Sequence, residues 1–300
     1  MKIAYLILAH SNPGVLERSI ARLSSADSEI YIHVDKKCKM DVFERIHADR
    51  AYFCKERVPV YWGEFSQVEA ILLLLRTALA SPKNSDYFVL ISGADYPLRS
   101  GAYIQKFLDS NRGLEFMNLV RVPAPGKPLS RIDTLRFPHC KPIRHFAFRA
   151  LAKVGLARRN HRDQLKGLEP YSGSTWWALS RNACQYLLEF IDQNPHVVQY
   201  FENVFAADEA FLHTILGNSQ FKSHIRHNLL FEDWSAEGSH PAFISSLHVT
   251  HFKKESKVTV KDSYGSGEVL FARKFRDADI NLLRQIDEIA AEKEGNITSV

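Results

Sequence analysis

Short apolar runs alternate with amphipathic runs through the first hundred residues, and no other feature of the sequence constrains the fold as strongly. The strand-like runs read KIAYLILA, EIYIHV and DYFVLIS, and the helix-like runs read PGVLERSIARLSS, DVFERIHA and FSQVEAILLLLRTALA. Strands that alternate with helices usually form a parallel sheet with the helices packed on its faces. We therefore predict an α/β fold with a mainly parallel central sheet flanked by helices.

The rest of the chain divides into a loop-rich stretch and a second ordered part. Residues 121–171 are rich in Pro, Lys, Arg and His, which predicts long loops with one weak helix. The strand-like runs STWWALS and SHIRHNLLF follow, with the helix-like runs RNACQYLLEFIDQ and DEAFLHTILGN and a final helix at 277–292. We predict a single domain over residues 1–300.

Composition fits a globular protein, since 45% of the 300 residues are hydrophobic and 24% are charged. The apolar run at the N-terminus ends at His10, far short of the roughly 18 apolar residues that a membrane helix needs. We interpret it as a buried first strand rather than a signal peptide, and we expect a cytoplasmic location. The cysteines form no Cys-x-x-Cys pair, so the sequence indicates neither a zinc site nor a redox motif.

The segment 141–166 is strongly basic, with eight Lys or Arg against a single acid, Asp163. It is either a solvated basic helix or a patch that contacts an anionic membrane surface or steers an anionic substrate. The net charge of +5 suits an anionic ligand but does not decide between these alternatives. No nucleic-acid-binding motif accompanies the charge, so we expect no nucleic acid partner.

Polar turns follow three of the predicted buried strands, at 10–13, 35–37 and 92–97. In a parallel sheet, ligands bind beyond the carboxyl ends of the strands, which is where these turns lie. Asp35 and Asp95 are therefore candidate ligand-binding residues. Either could equally be a turn or cap residue.

Three further charged residues are candidates for chemistry. Glu209 lies in AADEAFLHTIL, at the first turn of a predicted helix, where acids are common because they offset the helix dipole. Arg273 and Lys274 lie in FARKF between two phenylalanines, a pattern that also suits an exposed charge pair with buried stems. None of the three is assigned a function by its local pattern alone.

Seven short motifs occur in a specific order along the chain. They are HVDKK (33–37), YWGEFSQVEA (61–70), SGADYP (92–97), SGSTWWALSR (172–181), ADEAFLHTILGNS (207–219), DW (233–234) and FARKF (271–275). Each is weak alone, but in this order they resemble the Core-2/I-branching glycosyltransferase family over about residues 1–288. That family includes β-1,6-N-acetylglucosaminyltransferases and peptide O-xylosyltransferases. We expect a compact, bacterial-type member.

The resemblance implies a GT-A-type nucleotide-sugar-binding fold and an inverting single displacement on a UDP-sugar. Its catalytic base falls on Glu209, as an acceptor hydroxyl needs a carboxylate to take its proton. Its diphosphate-binding cations fall on Arg273 and Lys274, which would stabilise the charge of the leaving group. Residues 1–120 would then be a nucleotide-binding half, 121–171 a basic loop-rich insertion, and 172–300 an acceptor and catalytic half.

Other motif positions take supporting roles under the same resemblance. Asp35 would meet the uridine, with His10 and Asp95 also on the donor side. Aromatic faces suit the apolar side of a sugar ring. The predicted acceptor or sugar-binding residues are Trp176, Trp177, Asp233 and Trp234.

The resemblance also implies that no metal ion or other cofactor is needed. Metal-dependent GT-A enzymes carry Asp-x-Asp after a central strand, whereas the matching turn here, SGADYP, offers only Asp95. A literal Asp-x-Asp occurs at Asp277 and Asp279, where we predict helix-entry residues instead. A metal-dependent transferase remains an alternative, and so does a non-catalytic nucleotide or sugar-binding module.

The substrates are predicted only as classes. We favour N-acetylglucosamine as the transferred sugar, with xylose next. The motifs do not identify the donor sugar, because pocket shape discriminates between such groups and motifs do not encode it. The expected acceptor is a glycan or a lipid-linked saccharide, in cell-surface polysaccharide synthesis. The basic segment 141–166 motivates a peripheral contact with the anionic inner membrane face.

Overall fold

The computed structural model describes residues 1–46, 51–136, 157–235, 238 and 240–297. Strands and helices alternate along it. In chain order the strands are β1 (Ile3–Ala9), β2 (Ser28–Val34), β3 (Ala51–Phe53), β4 (Tyr87–Ser92), β5 (Asp95–Pro97), β6 (Glu115–Met117), β7 (Val120–Arg121), β8 (Tyr171–Ser172), β9 (Trp177–Ser180), β10 (Ile225–Arg226), β11 (Leu230–Glu232), β12 (Thr259–Asp262), β13 (Gly265–Glu268) and β14 (Phe271–Arg273).

The α-helices of the described residues are α1 (Pro13–Leu23), α2 (Ser66–Leu79), α3 (Gly101–Ser110), α4 (Ser130–Asp133), α5 (His161–Gln164), α6 (Arg181–Gln193), α7 (Pro195–Phe201), α8 (Phe211–Gly217), α9 (Ser246–Lys254) and α10 (Ile280–Ile297). Short 3₁₀ turns cover Ala207–Glu209, Gln220–His224 and Asp277–Asp279. None of the described helices is long and apolar enough to cross a membrane.

A seven-stranded sheet in the order β10-β6-β9-β4-β1-β2-β3 forms the centre of the molecule. Strands β3, β2, β1 and β4 are parallel neighbours, and β9 runs antiparallel between β4 and β6. β2 and β4 are buried along their whole length, which explains why they read as continuous apolar runs rather than as alternating patterns. The predicted α/β class with a mainly parallel sheet flanked by helices is confirmed.

A three-stranded sheet in the order β11-β14-β5 lies beside the central one. Its register places Arg273 of β14 directly between Glu232 of β11 and Asp95 of β5. A second apolar cluster supports this sheet, with Tyr96 and Phe275 packed edge to face and Leu283 of α10 fully buried. Backbone pairing thus places the basic residue Arg273 between two acidic residues, Glu232 and Asp95, in a row across three strands.

Two predicted elements are wrong in part. Residues 41–45 of the predicted helix DVFERIHA form turns, in which the Met40 carbonyl accepts from Phe43 N and Glu44 N at 2.8 and 3.0 Å. The burial of Phe43 and Ile46 explains the helix-like spacing, because those side chains enter the main core from a turn. The single predicted strand SHIRHNLLF is divided between β10 in the central sheet and β11 in the small one.

The predicted insertion at 121–171 is only partly described. Residues 137–156, and with them most of the basic segment 141–166, lie outside the described residues. The described parts contain β7 paired with β8, together with the short helices α4 and α5. α4 matters for the site, because it carries Arg131 towards Glu209.

Candidate active site

The first part of the site lies at the carboxyl ends of β1 and β2. His10 follows β1 and Asp35 follows β2, and the parallel pairing of Ala9 with Val34 brings the two turns together. Asp35 is buried, and its Oδ1 accepts from the backbone nitrogens of Lys37 at 2.9 Å and Val60 at 3.2 Å. These bonds hold the Asp35 carboxylate at the edge of the sheet.

The charges of β14 reach the same edge. Burial lowers the pKa of His10, the positive charges of Arg273, Lys37 and Lys274 lower it further, and the negative charge of Asp35 opposes them. His10 is therefore close enough to Asp35, Arg273 and Lys274 for their charges to act on it. The fold brings these four predicted donor-side residues together, although more than 200 residues separate Asp35 from Arg273 in the sequence.

Arg273 is held on three sides. Its guanidinium donates to Asp95 Oδ1 at 3.2 Å, lies 3.9 Å from Glu232 Oε1, and stacks over the Trp176 ring at 4.3 Å. Asp95 also accepts from Ser92 N at 2.7 Å and from Ser92 Oγ at 2.8 Å. Burial raises the pKa of Asp95, while the charge of Arg273 opposes that rise. Asp95 thus positions Arg273.

Glu232 is a site residue that the sequence did not predict, although its neighbour Asp233 was predicted. Burial raises the pKa of Glu232 to about 7, and the charge of Arg273 opposes the rise. Ser174 Oγ approaches its Oε2 at 3.4 Å. The signal that could have revealed Glu232 is its place at the end of a strand, next to the DW motif.

Lys274 is the less constrained cation of the pair. Its ammonium lies over the Phe243 ring at 4.4 Å. No hydrogen bond or ion pair joins that ammonium to another described residue. Burial lowers the pKa of Lys274, and the charge of Arg273 lowers it further. An ammonium in this setting can bind an anion without first breaking a salt bridge.

Glu209 lies in a 3₁₀ turn directly before α8, not in the first turn of the α-helix as predicted. Its side chain is 32% exposed, and both Lys127 Nζ and Arg131 Nη1 donate to Oε2, the latter at 3.0 Å. Lys127 also donates to the Gly173 carbonyl at 3.0 Å. Neither cation was predicted, because both belong to a stretch that reads as loop. No hydrogen bond joins Glu209 Oε1 to a described residue.

The segment 172–175 connects the two acidic parts of the site. Gly173 N and Ser172 Oγ donate to the Glu209 carbonyl at 2.9 and 2.8 Å, while Ser174 contacts Glu232. A Cβ added to Gly173 would lie 1.7 Å from the Asn118 carbonyl oxygen, so only glycine fits there. Glu209 and Glu232 are therefore close neighbours, and the negative charge of Glu209 contributes to the raised pKa of Glu232.

Asp208 stands beside Glu209 but turns away from it. Its Oδ2 accepts from Thr175 Oγ1 at 2.6 Å and from Gln67 Nε2 at 3.1 Å. Burial and the neighbouring charge of Glu209 raise the pKa of Asp208 to about 6. These contacts tie the 3₁₀ turn to α2 and to the segment 172–175, so Asp208 supports the position of Glu209.

A hairpin of β12 and β13 adds Tyr264 on the same side of the molecule. Asp262 Oδ2 lies 3.1 Å from His227 Nε2, which fixes the hairpin against the end of the central sheet. Burial raises the pKa of Tyr264 to about 12, and the charges of Glu209, Asp262 and Glu232 contribute to the rise. The hairpin tip therefore faces the acidic part of the site.

The structure does not bring every predicted sugar-binding residue to this cluster. Trp176 contacts Arg273, whereas Trp177 is buried in the main core on β9. Asp233 accepts from Ser235 N at 2.8 Å and lies 3.0 Å from His248 Nε2, and Trp234 is 57% exposed. Within the described residues, none of the contacts of Trp177, Asp233 or Trp234 joins them to Glu209.

The Asp-x-Asp at Asp277 and Asp279 serves helix entry, as predicted. Asp277 Oδ1 accepts from Val15 N in the first turn of α1 at 2.9 Å, and Asp279 accepts from Arg276 N at 2.8 Å. In the part of the chain that the structure describes, no three His, Cys, Asp or Glu side chains are grouped so that they could hold a metal ion.

Comparison with known proteins gives consistent matches over most of the chain. A family model described as Core-2/I-Branching enzyme matches residues 3–255. Xylosyltransferase 2 of Rattus norvegicus is 26% identical over 248 residues, and human xylosyltransferase 1 is 24% identical over 243 residues. Each match covers 78% of this chain but only 27% and 24% of the respective relative. The chain therefore spans about a quarter of the length of these relatives.

Among solved structures, apo mouse xyloside xylosyltransferase 1 aligns with 90% of this chain and 97% of its own, at a TM-score of 0.35 and 11% identity. A 4-diphosphocytidyl-2C-methyl-D-erythritol synthase from Anaerococcus prevotii aligns with 65% of this chain and 77% of its own, at a TM-score of 0.32 and 14% identity.

Proposed function

The chain belongs to the Core-2/I-branching enzyme family, whose members are glycosyltransferases, and on that premise we propose that it transfers a sugar from a UDP-sugar to a glycan hydroxyl. One observation carries the proposal. Four predicted donor-side residues come together at the carboxyl edge of the central sheet: His10, Asp35, Arg273 and Lys274. The segment 172–175 joins this group to Glu209, because Gly173 N donates to the Glu209 carbonyl and Ser174 contacts Glu232, the neighbour of Arg273. Nucleotides bind at such an edge in α/β proteins.

On the donor side, one acid binds the nucleoside and two cations bind the diphosphate. Asp35 meets the uridine, and Lys274 and Arg273 stabilise the negative charge that the diphosphate gains as it leaves. Lys274 is the more available of the two, because Arg273 already pairs with Asp95 and approaches Glu232. The leaving group departs as UDP while its bond to the anomeric carbon breaks.

On the acceptor side, Glu209 acts as the general base. Lys127 and Arg131 both hold Oε2, which fixes the carboxylate and leaves Oε1 to face an incoming hydroxyl. Glu209 takes the hydroxyl proton as the acceptor oxygen attacks the anomeric carbon. Attack and departure occur on opposite faces of the sugar, so the single displacement inverts the anomeric configuration.

We further propose that the reaction needs no metal ion. The stabilisation of leaving-group charge falls to Arg273 and Lys274, and the aspartate at the usual metal-binding turn, Asp95, is already bonded to Ser92 and Arg273. The first donors to test are UDP-N-acetylglucosamine and UDP-xylose, the latter supported by relatives named xylosyltransferases.

The acceptor and the location are proposals from the sequence. We propose a glycan or lipid-linked saccharide acceptor used in cell-surface polysaccharide synthesis, with peripheral contact at an anionic membrane through the segment 141–166. Salt-sensitive binding to vesicles that contain anionic lipids is the expected result. Equal binding to neutral and anionic vesicles would remove the support for this contact.

The decisive experiment is a turnover screen over UDP-N-acetylglucosamine, UDP-xylose, UDP-galactose and UDP-glucose, with wild type and Glu209→Gln, each with and without EDTA. We expect turnover with at least one donor, no effect of EDTA, and a loss of about 10²-fold or more in Glu209→Gln, with UDP affinity retained. Unchanged turnover in Glu209→Gln would remove Glu209 from the mechanism. Loss with EDTA and recovery with Mn²⁺ would show a metal-dependent enzyme, and UDP binding without any turnover would show a binding module.

A further inference from the structure

The two acids that flank Arg273 differ in how well their oxygens are satisfied. Asp95 accepts three hydrogen bonds, all at 3.2 Å or less. Glu232 has one long hydrogen bond, from Ser174 Oγ at 3.4 Å, and an ion pair with Arg273 at 3.9 Å. A largely buried carboxylate normally has several close donors, so Glu232 retains unused capacity to accept hydrogen bonds.

The surroundings of Glu232 match a sugar pocket. Its side chain is only 13% exposed and ends between Arg273, which stacks on the Trp176 ring, and the segment that carries Glu209. An aromatic face, a fixed cation and an unsaturated carboxylate are the groups that bind a polyhydroxylated ring. Glu232 approaches Arg273, one of the proposed diphosphate cations, and lies near enough to the proposed base, Glu209, for its charge to act on Glu232. The transferred sugar must sit between the diphosphate and the base.

We propose that Glu232 binds the donor sugar by accepting a hydrogen bond from one of its hydroxyl groups, and that this contact selects among UDP-sugars. The inference rests on the proposed function, because it assumes a UDP-sugar in the site. Arg273 then has a second role, since it holds Glu232 in place as well as contributing charge at the diphosphate.

A sugar-binding Glu232 and a Glu232 that is only a counter-ion of Arg273 would affect the turnover of different donors differently. A counter-ion of Arg273 affects every donor equally, because it acts on a residue that all donors share. A carboxylate that accepts from one hydroxyl affects only donors that carry that hydroxyl. Discrimination of this type is strong, because a polar site group that loses its partner on binding stays unpaired.

The experiment compares wild type, Glu232→Ala and Glu232→Gln on the best UDP-sugar and on its monodeoxy analogues. In wild type we expect kcat/KM to fall about 10- to 100-fold for one deoxy donor, the range for a hydrogen bond to a charged group. In Glu232→Ala that penalty should shrink to within about 2-fold, as the hydroxyl then has no partner to lose. Glu232→Gln should show an intermediate penalty, since its amide oxygen still accepts.

Two results would overturn the inference. One is an equal loss of kcat/KM on every donor in Glu232→Ala, which is the behaviour of a counter-ion. The other is a deoxy penalty that persists unchanged in Glu232→Ala. Glu288→Gln, an exposed change on α10, serves as the control variant and should match wild type. Absence of turnover by wild type with every UDP-sugar would instead refute the proposed function itself.

Discussion

The raised pKa of Glu232 predicts a specific loss of stability as pH rises. The pKa changes from 4.5 in the unfolded chain to about 7 in the folded protein, mainly through burial. Between these values the folded state keeps a proton that the unfolded chain has released, so the free energy of unfolding decreases with pH. Well below pH 4.5 the carboxyl is neutral in both states, and well above pH 7 it is charged in both.

The size of the effect follows from the same two values. A difference of about 2.5 pH units, at about 1.36 kcal/mol per unit, corresponds to about 3 kcal/mol. Asp208, with its pKa raised to about 6, adds a decrease of its own in an overlapping range. A comparison with Glu232→Gln isolates the Glu232 contribution, because the variant lacks this titration and keeps that of Asp208.

The assay is urea unfolding of wild type and Glu232→Gln at several pH values from 4.5 to 8, followed by circular dichroism. We expect the stability of wild type relative to the variant to fall by about 3 kcal/mol between pH 4.5 and 7, and then to stay constant. Parallel pH profiles of the two proteins would refute the reasoning, as they would mean that Glu232 titrates alike in both states.

Three further predictions concern the supports of the site. Lys127→Met should lower kcat about 10- to 100-fold and leave UDP affinity unchanged. The reason is that Lys127 is only 13% exposed and joins Glu209 to the Gly173 carbonyl. An unchanged kcat would contradict this role. Gly173→Ala should destabilise the fold by more than about 2 kcal/mol in thermal unfolding, since the new Cβ meets the Asn118 carbonyl oxygen. The control is Gly295→Ala, which should not destabilise the fold because a Cβ there meets no atom within 4 Å. Lys274→Ala should weaken UDP binding about 10-fold or more, as measured by calorimetry. The control is Lys254→Ala, a change at an exposed lysine. Equal UDP affinities of wild type and Lys274→Ala would rule out Lys274 as a diphosphate ligand.

The sequence predicted the parts of this molecule that depend on local pattern. The buried strands β1, β2 and β4 and the helices α1 and α2 follow from apolar periodicity. The ordered motifs name Asp35, Arg273 and Lys274 as donor-side residues, and the fold places all three near His10. Residues 41–45 of the predicted helix DVFERIHA form turns instead, because periodicity alone does not distinguish a helix from turns whose apolar side chains, such as that of Phe43, enter the core.

The parts that the sequence did not predict depend on distant pairing. Lys127 and Arg131 lie 82 and 78 residues from Glu209 in the chain, and neither stands in a motif. The DW motif names Asp233 and not the preceding Glu232, and the sequence alone does not show which of these two adjacent acids faces the site. Only the register of β11 on β14 decides it, and that register is a property of the folded chain.

The row of Glu232, Arg273 and Asp95 also has a consequence for how activity appears during folding. Asp95 and Arg273 are 178 positions apart, so the pairing of their strands closes a longer loop, at a higher cost in chain entropy, than the pairing of β1 with β2 or β4. The parallel core of β1, β2 and β4 needs only the first 92 residues. During refolding, circular dichroism should therefore detect the sheet before the protein gains its affinity for UDP. A chain interrupted before β14 would lack Arg273 and Lys274, the proposed diphosphate ligands, and we expect it not to bind UDP.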